Sequence, residues 1–197
     1  MLTLKEMNDT RTRFLYEYQM KRDFPPSELK SLSAILKMKA EGKYDVLGAY
    51  LDGILVAYAL CYHPQGERVL LLDYLAVEPD MRRRGIGTSL LDELRKYYAA
   101  HVDTILIECE RPKTAPNESE ARQRIRFYTQ AGAELTNVRI WLFEVEYSIL
   151  TLQCRDDAMA RDWAKQMLSL YKQMLMPELY ERNVRLIRSQ FMNKGRE

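Results

Sequence analysis

A loop of arginines and glycines stands between a long apolar segment and an amphipathic one. The apolar segment 69–77 ends at Val77, and Gly85 and Gly87 follow the three arginines 82–84. Glycine lets a backbone approach another group without a Cβ in the way, and the first N–H groups of a helix lack partners within it. These groups carry the positive end of the helix dipole and favour phosphate oxygens. The loop therefore predicts a phosphate-binding helix N-terminus.

Two nucleotide-binding motifs fit this loop poorly. A Walker A loop ends in Gly-Lys-Ser/Thr, which is absent here. A Rossmann fingerprint places its glycines directly after the strand, whereas Gly85 comes eight residues after Val77 and the third glycine position is Leu90. A plain helix start with surface arginines stays open as an alternative.

The elements before this loop are predicted from periodicity and turn residues. Helical spacing predicts a helix from Ser27, as N-cap, to Glu41, with Gly42 after its end. Pro25 and Pro26 separate it from an earlier helix that contains Phe14, Leu15 and Tyr18, so we expect residues 1–43 to be helical after a short start. Strands 44–51 and 54–62 flank the hairpin signal Asp52-Gly53, and 69–77 is a third strand.

The elements after the loop alternate between helix and strand. We expect a helix over 87–100, a strand over 104–110, a helix from Asn117 to Gly132 and a final strand pair within 138–152. A strand, helix and strand in this order indicate a parallel pair in an otherwise antiparallel sheet.

The last part of the sequence has the pattern of two amphipathic helices. One contains Trp163, Met167 and Tyr171, and the second begins at Pro177 and includes Tyr180, Val184, Ile187 and Phe191. We predict one domain over 1–150 and a C-terminal helical extension over 151–197. The extension either covers its own sheet or forms a homodimer.

Composition excludes several classes of function. The net charge of +2, from 30 basic and 28 acidic residues, gives no strong field for nucleic acid. Cys61, Cys109 and Cys154 form no CxxC pair and there are two histidines, which argues against disulfides and a metal site. The longest apolar run, 53–62, is about half of a membrane span. We expect a cytoplasmic protein that binds no metal, nucleic acid or membrane.

Two short motifs follow one another along the sequence. Arg82-Arg83-Arg84-Gly85-Ile86-Gly87 follows a strand that ends in Ala76-Val77, and Phe127-Tyr128-Thr129-Gln130-Ala131-Gly132 comes 45 residues later. With the Asp52-Gly53 hairpin upstream, they resemble the Arg/Gln-x-x-Gly-x-Gly/Ala and Phe-Tyr-x-x-x-Gly signatures of the GNAT superfamily of acyl-CoA-dependent N-acyltransferases. The resemblance covers roughly residues 44–147.

The resemblance implies a mixed α/β acyltransferase fold, with an antiparallel meander and a central parallel strand pair. It implies acetyl-CoA as cosubstrate and an amine as acceptor, which attacks directly, so Cys109 is not expected to be a nucleophile. A backbone N–H near Val77 would polarise the thioester carbonyl. The implied cosubstrate-binding residues are Leu75, Ala76, Val77, Arg82, Arg83, Arg84, Gly85, Ile86, Gly87 and Thr88.

The resemblance also implies catalytic groups. Tyr128 matches the general acid that protonates the leaving thiolate, with a core-filling tyrosine as the alternative. The general base is left open among Asp73, Glu108, Glu110 and an ordered water, since each carboxylate could instead be salt-bridged.

The sequence departs from the family pattern at two helix positions. Ala121 and Arg124 stand where the family often has Asn and Ala, which puts a pantetheine contact in doubt. The alternative function is a catalytically silent acyl-CoA-binding or scaffold protein with the same fold. The identity of the acceptor amine and the length of the acyl chain stay open.

Overall fold

The computed structural model describes residues 2–155 and 161–187, which divide into two compact units. The first unit contains residues 2–105 and 153–155, and the second contains residues 106–152 and 161–187. Phe191, predicted to belong to the last helix, lies outside the described residues. Over the described ranges, no helix is long and apolar enough to span a membrane.

An antiparallel meander forms the sheet of the first unit. Its strands pair in chain order: β1 (Thr3–Glu6), β2 (Tyr44–Leu51), β3 (Ile54–Tyr62) and β4 (Val69–Val77). Asp52 and Gly53 join β2 to β3 with φ values of +50° and +82°. This confirms the predicted hairpin, since a type I′ turn needs positive φ at both central positions.

Helices pack on this meander. An N-terminal helical segment consists of α1 (Asp9–Leu15), a π-helical turn (Tyr16–Met20) and α2 (Lys21–Asp23), and α3 (Leu32–Ala40) packs against β2. Helix α4 (Ile86–Tyr98) packs on β1, β3 and β4. Its apolar face is fully buried, as its spacing predicts, through Leu90, Leu91, Leu94 and Tyr98.

The N-terminal region contains a strand that was not predicted, and its second helix begins later than predicted. Residues 3–6 form a strand, because they pair with Tyr50–Leu47 of β2. The helix predicted from Ser27 begins at Leu32, where the Ser31 hydroxyl accepts a hydrogen bond from the Ala34 N–H at 3.2 Å. Tyr74 explains the later start: its hydroxyl donates to the Glu28 carbonyl and accepts from the Lys30 N–H, so this backbone is used in tertiary contacts.

The second unit is built around another strand pair. Strand β5 (Thr104–Glu110) begins in the first unit and runs into the second, followed by α5 (Glu118–Gln130). Asn117 caps α5 by accepting from the Glu120 N–H at 3.2 Å, and Gly132 follows its end with a φ of +91°. Strands β6 (Glu134–Leu142) and β7 (Val145–Gln153) form an antiparallel hairpin.

The C-terminal segment adds two helices and a strand to the second unit. Helix α6 (Trp163–Met174) packs on β6 and buries Met167, Leu170 and Tyr171, and α7 (Pro177–Asn183) follows it. The pair of helices is as predicted, but the second is shorter. Residues Val184–Ile187 form β8, because they pair antiparallel with Arg139–Leu142 of β6 and the sheet contact overrides the helical pattern.

Candidate active site

The turn between β4 and α4 forms an uncapped helix start. After Val77 and a 3₁₀ turn (Pro79–Met81), Arg83 has a φ of +60° and Gly85 a φ of +78°. Gly85 is the N-cap of α4 and offers no side chain to cap it. The first backbone hydrogen bond into the helix runs from the Ser89 N–H to the Gly85 carbonyl at 3.0 Å. The N–H groups before Ser89 are therefore oriented for an anion.

The Arg82 side chain holds this turn through two hydrogen bonds. Its Nε donates to the Val77 carbonyl at 3.0 Å, and a terminal nitrogen donates to the Asp23 carboxylate at 3.1 Å. Arg83 and Arg84 are exposed. Arg82 thus joins the end of β4 to the N-terminal helical segment, whereas the charges of Arg83 and Arg84 lie at the protein surface.

The end of β4 is more open than its beginning. Val69–Leu72 are buried, whereas Leu75, Ala76 and Val77 are half-buried. Residues 57–59 of β3 pair with Leu75–Val77 along one edge. The last three residues of β4 therefore lie next to the turn, and they pair with β3 along one edge of the strand.

Asp73, a predicted candidate base, is held in a buried pair. Lys30 contacts one carboxylate oxygen at 2.7 Å, and the Tyr44 hydroxyl donates to the other. The Asp73 side chain is 7% exposed. Burial and the negative charge of Asp73 raise the pKa of Tyr44, so its hydroxyl stays a donor. These contacts give Asp73 a structural role in holding the Glu28–Lys30 loop against β4.

In the second unit, Tyr128 lies near the end of α5 and is buried. Its ring contacts that of Phe127, with centroids 4.9 Å apart. Burial, with a smaller contribution from the Cys109 thiol, raises the pKa of Tyr128 above its usual range. The hydroxyl therefore keeps its proton at physiological pH, as a proton donor must before it reacts.

Cys109 is buried on β5, and burial raises the pKa of its thiol to about 12. A buried neutral thiol is a poor nucleophile, because the thiolate is the reactive form. All three cysteines are free. This chemistry agrees with direct attack by the acceptor.

The two other candidate bases alternate with Cys109 along β5. Glu108 and Glu110 are both half-buried, as strand alternation predicts for residues on one face. Glu110 pairs with Arg124 of α5 at 3.7 Å. Arg124 stands where the family often has Ala, and in this chain Glu110 balances its charge.

No motif in the sequence indicates the partners of the turn between β4 and α4. Asp23 and Tyr58 contact each other and Asp23 contacts Arg82, yet Asp23 and Arg82 are 59 positions apart. No local motif marks a carboxylate of this kind. No cluster of three or more histidine, cysteine, aspartate or glutamate side chains that could hold a metal occurs within residues 2–155 and 161–187.

A family model described as the acetyltransferase (GNAT) family matches residues 6–133, which include both motifs. The chain belongs to the GNAT acetyltransferase family. None of the curated proteins matches this sequence. GNAT membership identifies the protein as an acyl-CoA-dependent N-acyltransferase, which transfers acyl groups to amines.

Solved GNAT structures share its fold. A GNAT-family protein from Bacteroides thetaiotaomicron has 17% identity and a TM-score of 0.69, covering 86% of this chain and 96% of its own. The ribosomal-protein-S18-alanine N-acetyltransferase of Escherichia coli has 21% identity and a TM-score of 0.59, with 82% and 97% covered. YncA from Salmonella typhimurium, solved with its cofactor acetyl-CoA, has 15% identity and a TM-score of 0.56, with 82% and 99% covered. The predicted mixed α/β fold is confirmed.

Proposed function

We propose that this GNAT protein transfers an acetyl group from acetyl-CoA to an amine by direct attack in a ternary complex. The observation that carries the proposal is the turn between β4 and α4. There, two positive φ values and a glycine N-cap without a capping side chain leave backbone donors oriented for an anion.

In this proposal the cosubstrate binds along the end of β4 and the start of α4. The N–H groups of Arg84, Gly85, Ile86, Gly87 and Thr88 hold the pyrophosphate, while the exposed Arg83 and Arg84 side chains supply positive charge. The pantetheine pairs with the edge of Leu75–Val77 that β3 does not use, and an N–H near Val77 polarises the thioester carbonyl.

The proposed transfer needs two proton movements. The amine nitrogen attacks the thioester carbon, the carbon–sulfur bond breaks, and the CoA thiolate takes a proton from the Tyr128 hydroxyl. The amine loses a proton to Glu108, Glu110 or an ordered water, because Lys30 and Tyr44 already engage both carboxylate oxygens of Asp73. The position of Tyr128 in the Phe-Tyr-x-x-x-Gly motif supports its role.

CoA release tests the function directly. Purified protein is incubated with acetyl-CoA and a panel that contains polyamines, amino acids, aminoglycosides and peptides with free N-termini, and free thiol is measured against a control without amine. Amine-dependent thiol release, with the acetylated product seen by mass spectrometry, supports the proposal. Tight acetyl-CoA binding without turnover on any amine of the panel favours the catalytically silent alternative.

Two further predictions from the sequence belong with this proposal. The three free cysteines support a cytoplasmic location, where thiols stay reduced. The homodimer considered for the C-terminal segment stays a prediction, and sedimentation of the purified protein tests it.

A further inference from the structure

Asp23 lies at the end of the N-terminal helical segment with its carboxylate out of solvent. The side chain is 3% exposed, although neighbouring Arg22 is 39% exposed. A buried carboxylate is costly unless charged or hydrogen-bonding partners surround it. We propose that Asp23 is a positioning residue for acetyl-CoA, which fixes Arg82 and, through it, the backbone at the end of β4.

Three side chains hold the Asp23 carboxylate. Arg82 donates to Oδ1 at 3.1 Å, Arg22 donates to Oδ1 and Oδ2 at 3.0 and 2.8 Å, and the Tyr58 hydroxyl donates to Oδ2 at 2.9 Å. Burial and the charge of Asp23 raise the pKa of Tyr58, so this donor keeps its proton. With partners on both oxygens, the carboxylate has one defined orientation.

A second carboxylate balances the charge of this cluster. Arg22 also donates to Glu78 at 2.9 Å, and Glu78 is the residue directly after β4. Two guanidinium groups thus face two carboxylates, and the cluster of Arg22, Asp23, Glu78 and Arg82 is neutral. It joins the N-terminal helical segment to both sides of the turn that follows Val77.

Arg82 transmits the position of Asp23 to the strand end. Its Nε bonds the Val77 carbonyl, and its contact to Asp23 uses a different nitrogen. The guanidinium is planar and rigid, so fixing one nitrogen fixes the other. The turn that follows contains Arg83 at a φ of +60°, a strained conformation for a residue other than glycine, which needs surrounding contacts to hold it.

The inference rests on the proposed function, in which the end of β4 and the following turn contact the cosubstrate. If Asp23 only stabilised the fold, its loss would lower the melting temperature and leave the acetyl-CoA affinity of the folded protein unchanged. If it positions the turn, the affinity falls as well, and Arg82 is required for that effect. A double-mutant cycle separates the two.

The cycle uses Asp23→Asn, Arg82→Met and the double variant, with acetyl-CoA binding measured by calorimetry on full-length protein. We expect each single variant to weaken binding about five- to tenfold, as for one misplaced charged hydrogen bond. The double variant should bind no more weakly than Arg82→Met alone. Glu17→Gln, which breaks the exposed pair with Lys21 in the same segment, is the matched control and should bind normally.

Wild-type affinity in Asp23→Asn, or losses that multiply in the double variant, would overturn the inference. If Asp23→Asn does not fold, Tyr58→Phe removes one hydrogen bond to the carboxylate and should weaken binding about two- to threefold; normal affinity there would overturn it too. Failure of the wild-type protein to bind acetyl-CoA would instead overturn the proposed function itself.

Discussion

Burial and nearby charges determine the protonation and the contacts of several side chains in this protein. Burial raises the pKa values of Tyr128 and Cys109, so both groups stay protonated, and a protonated thiol is a poor nucleophile. Asp73 is buried too, but Lys30 and Tyr44 hold it.

Replacing Tyr128 by Phe tests its role as proton donor. The ring remains, so we expect a small change in stability and normal acetyl-CoA affinity, while turnover falls by about 100-fold or more. Because the acid form exists below the pKa, and the pKa of Tyr128 is raised, its ionisation should not reduce wild-type turnover up to about pH 10.

Steady-state kinetics with an accepted amine, or slow acetyl-CoA hydrolysis in its place, measures this effect. Phe127→Leu, which alters the neighbouring ring and keeps the Tyr128 hydroxyl, is the control for packing. Near-normal turnover of Tyr128→Phe would show that water or another residue supplies the proton.

At this scale, the sequence predicted the residues that belong to short motifs. Arg82 and Tyr128 stand out because their neighbours in sequence repeat a known pattern. The partners of Asp73 and Arg82 could not be predicted, since Lys30 and Asp23 meet them only through the tertiary fold. Because Arg82 contacts Asp23, we interpret it as a residue that holds the turn and not only as a surface charge.

Among the elements, the turn between β4 and α4 depends most on particular residues. Gly85 has a φ of +78°, a left-handed conformation that disfavours a side chain, and a Cβ there would meet no other atom within 4 Å. Any penalty at Gly85 therefore comes from the backbone conformation and not from a clash.

Gly85→Ala should lower the free energy of unfolding by about 1 kcal/mol, since alanine adopts this φ at a cost. Urea denaturation measures the change. Ser89→Ala, at an exposed position in the first turn of α4, is the matched control and should change stability little. An unchanged unfolding midpoint in Gly85→Ala would mean that the turn relaxes without strain.

Elements with strong local signals were predicted well, including the hairpin at Asp52-Gly53 and the Asn117 cap of α5. Errors arose where distant partners decide the conformation. Tyr74 draws the Glu28–Lys30 backbone away from a helix, and β6 converts Val184–Ile187 into a strand. Periodicity in a short segment carries no information about such partners.

For the molecule as a whole, the C-terminal segment completes the second unit. Helix α6 packs on β6 and β8, and β8 covers the edge of β6. An uncovered strand edge and an uncovered apolar face both favour aggregation.

Ending the chain after Arg155 should give an aggregated protein, or one less stable by about 3 kcal/mol or more, since it removes the buried side chains of Met167, Leu170 and Tyr171 and exposes the face of β6 on which α6 packs. Thermal denaturation and size-exclusion chromatography measure both outcomes. A chain that ends after Ile187 is the control. A soluble, monomeric truncated protein of full stability would show that the second unit does not need this segment.

The proposed function requires that acetyl-CoA binds at the start of α4. Gly87→Glu tests it, because the variant places a side chain and a negative charge against the proposed pyrophosphate position. Ser33→Glu adds the same charge to the first turn of α3, at an exposed position. It controls for the change in net charge.

The deciding measurement is calorimetric titration of the wild-type protein and both variants with acetyl-CoA. We expect Gly87→Glu to bind at least tenfold more weakly, since a lost charge-assisted contact is worth about 1.5–3 kcal/mol, whereas Ser33→Glu should bind like the wild type. Undiminished affinity in a folded Gly87→Glu protein would contradict the claim and place the cosubstrate elsewhere.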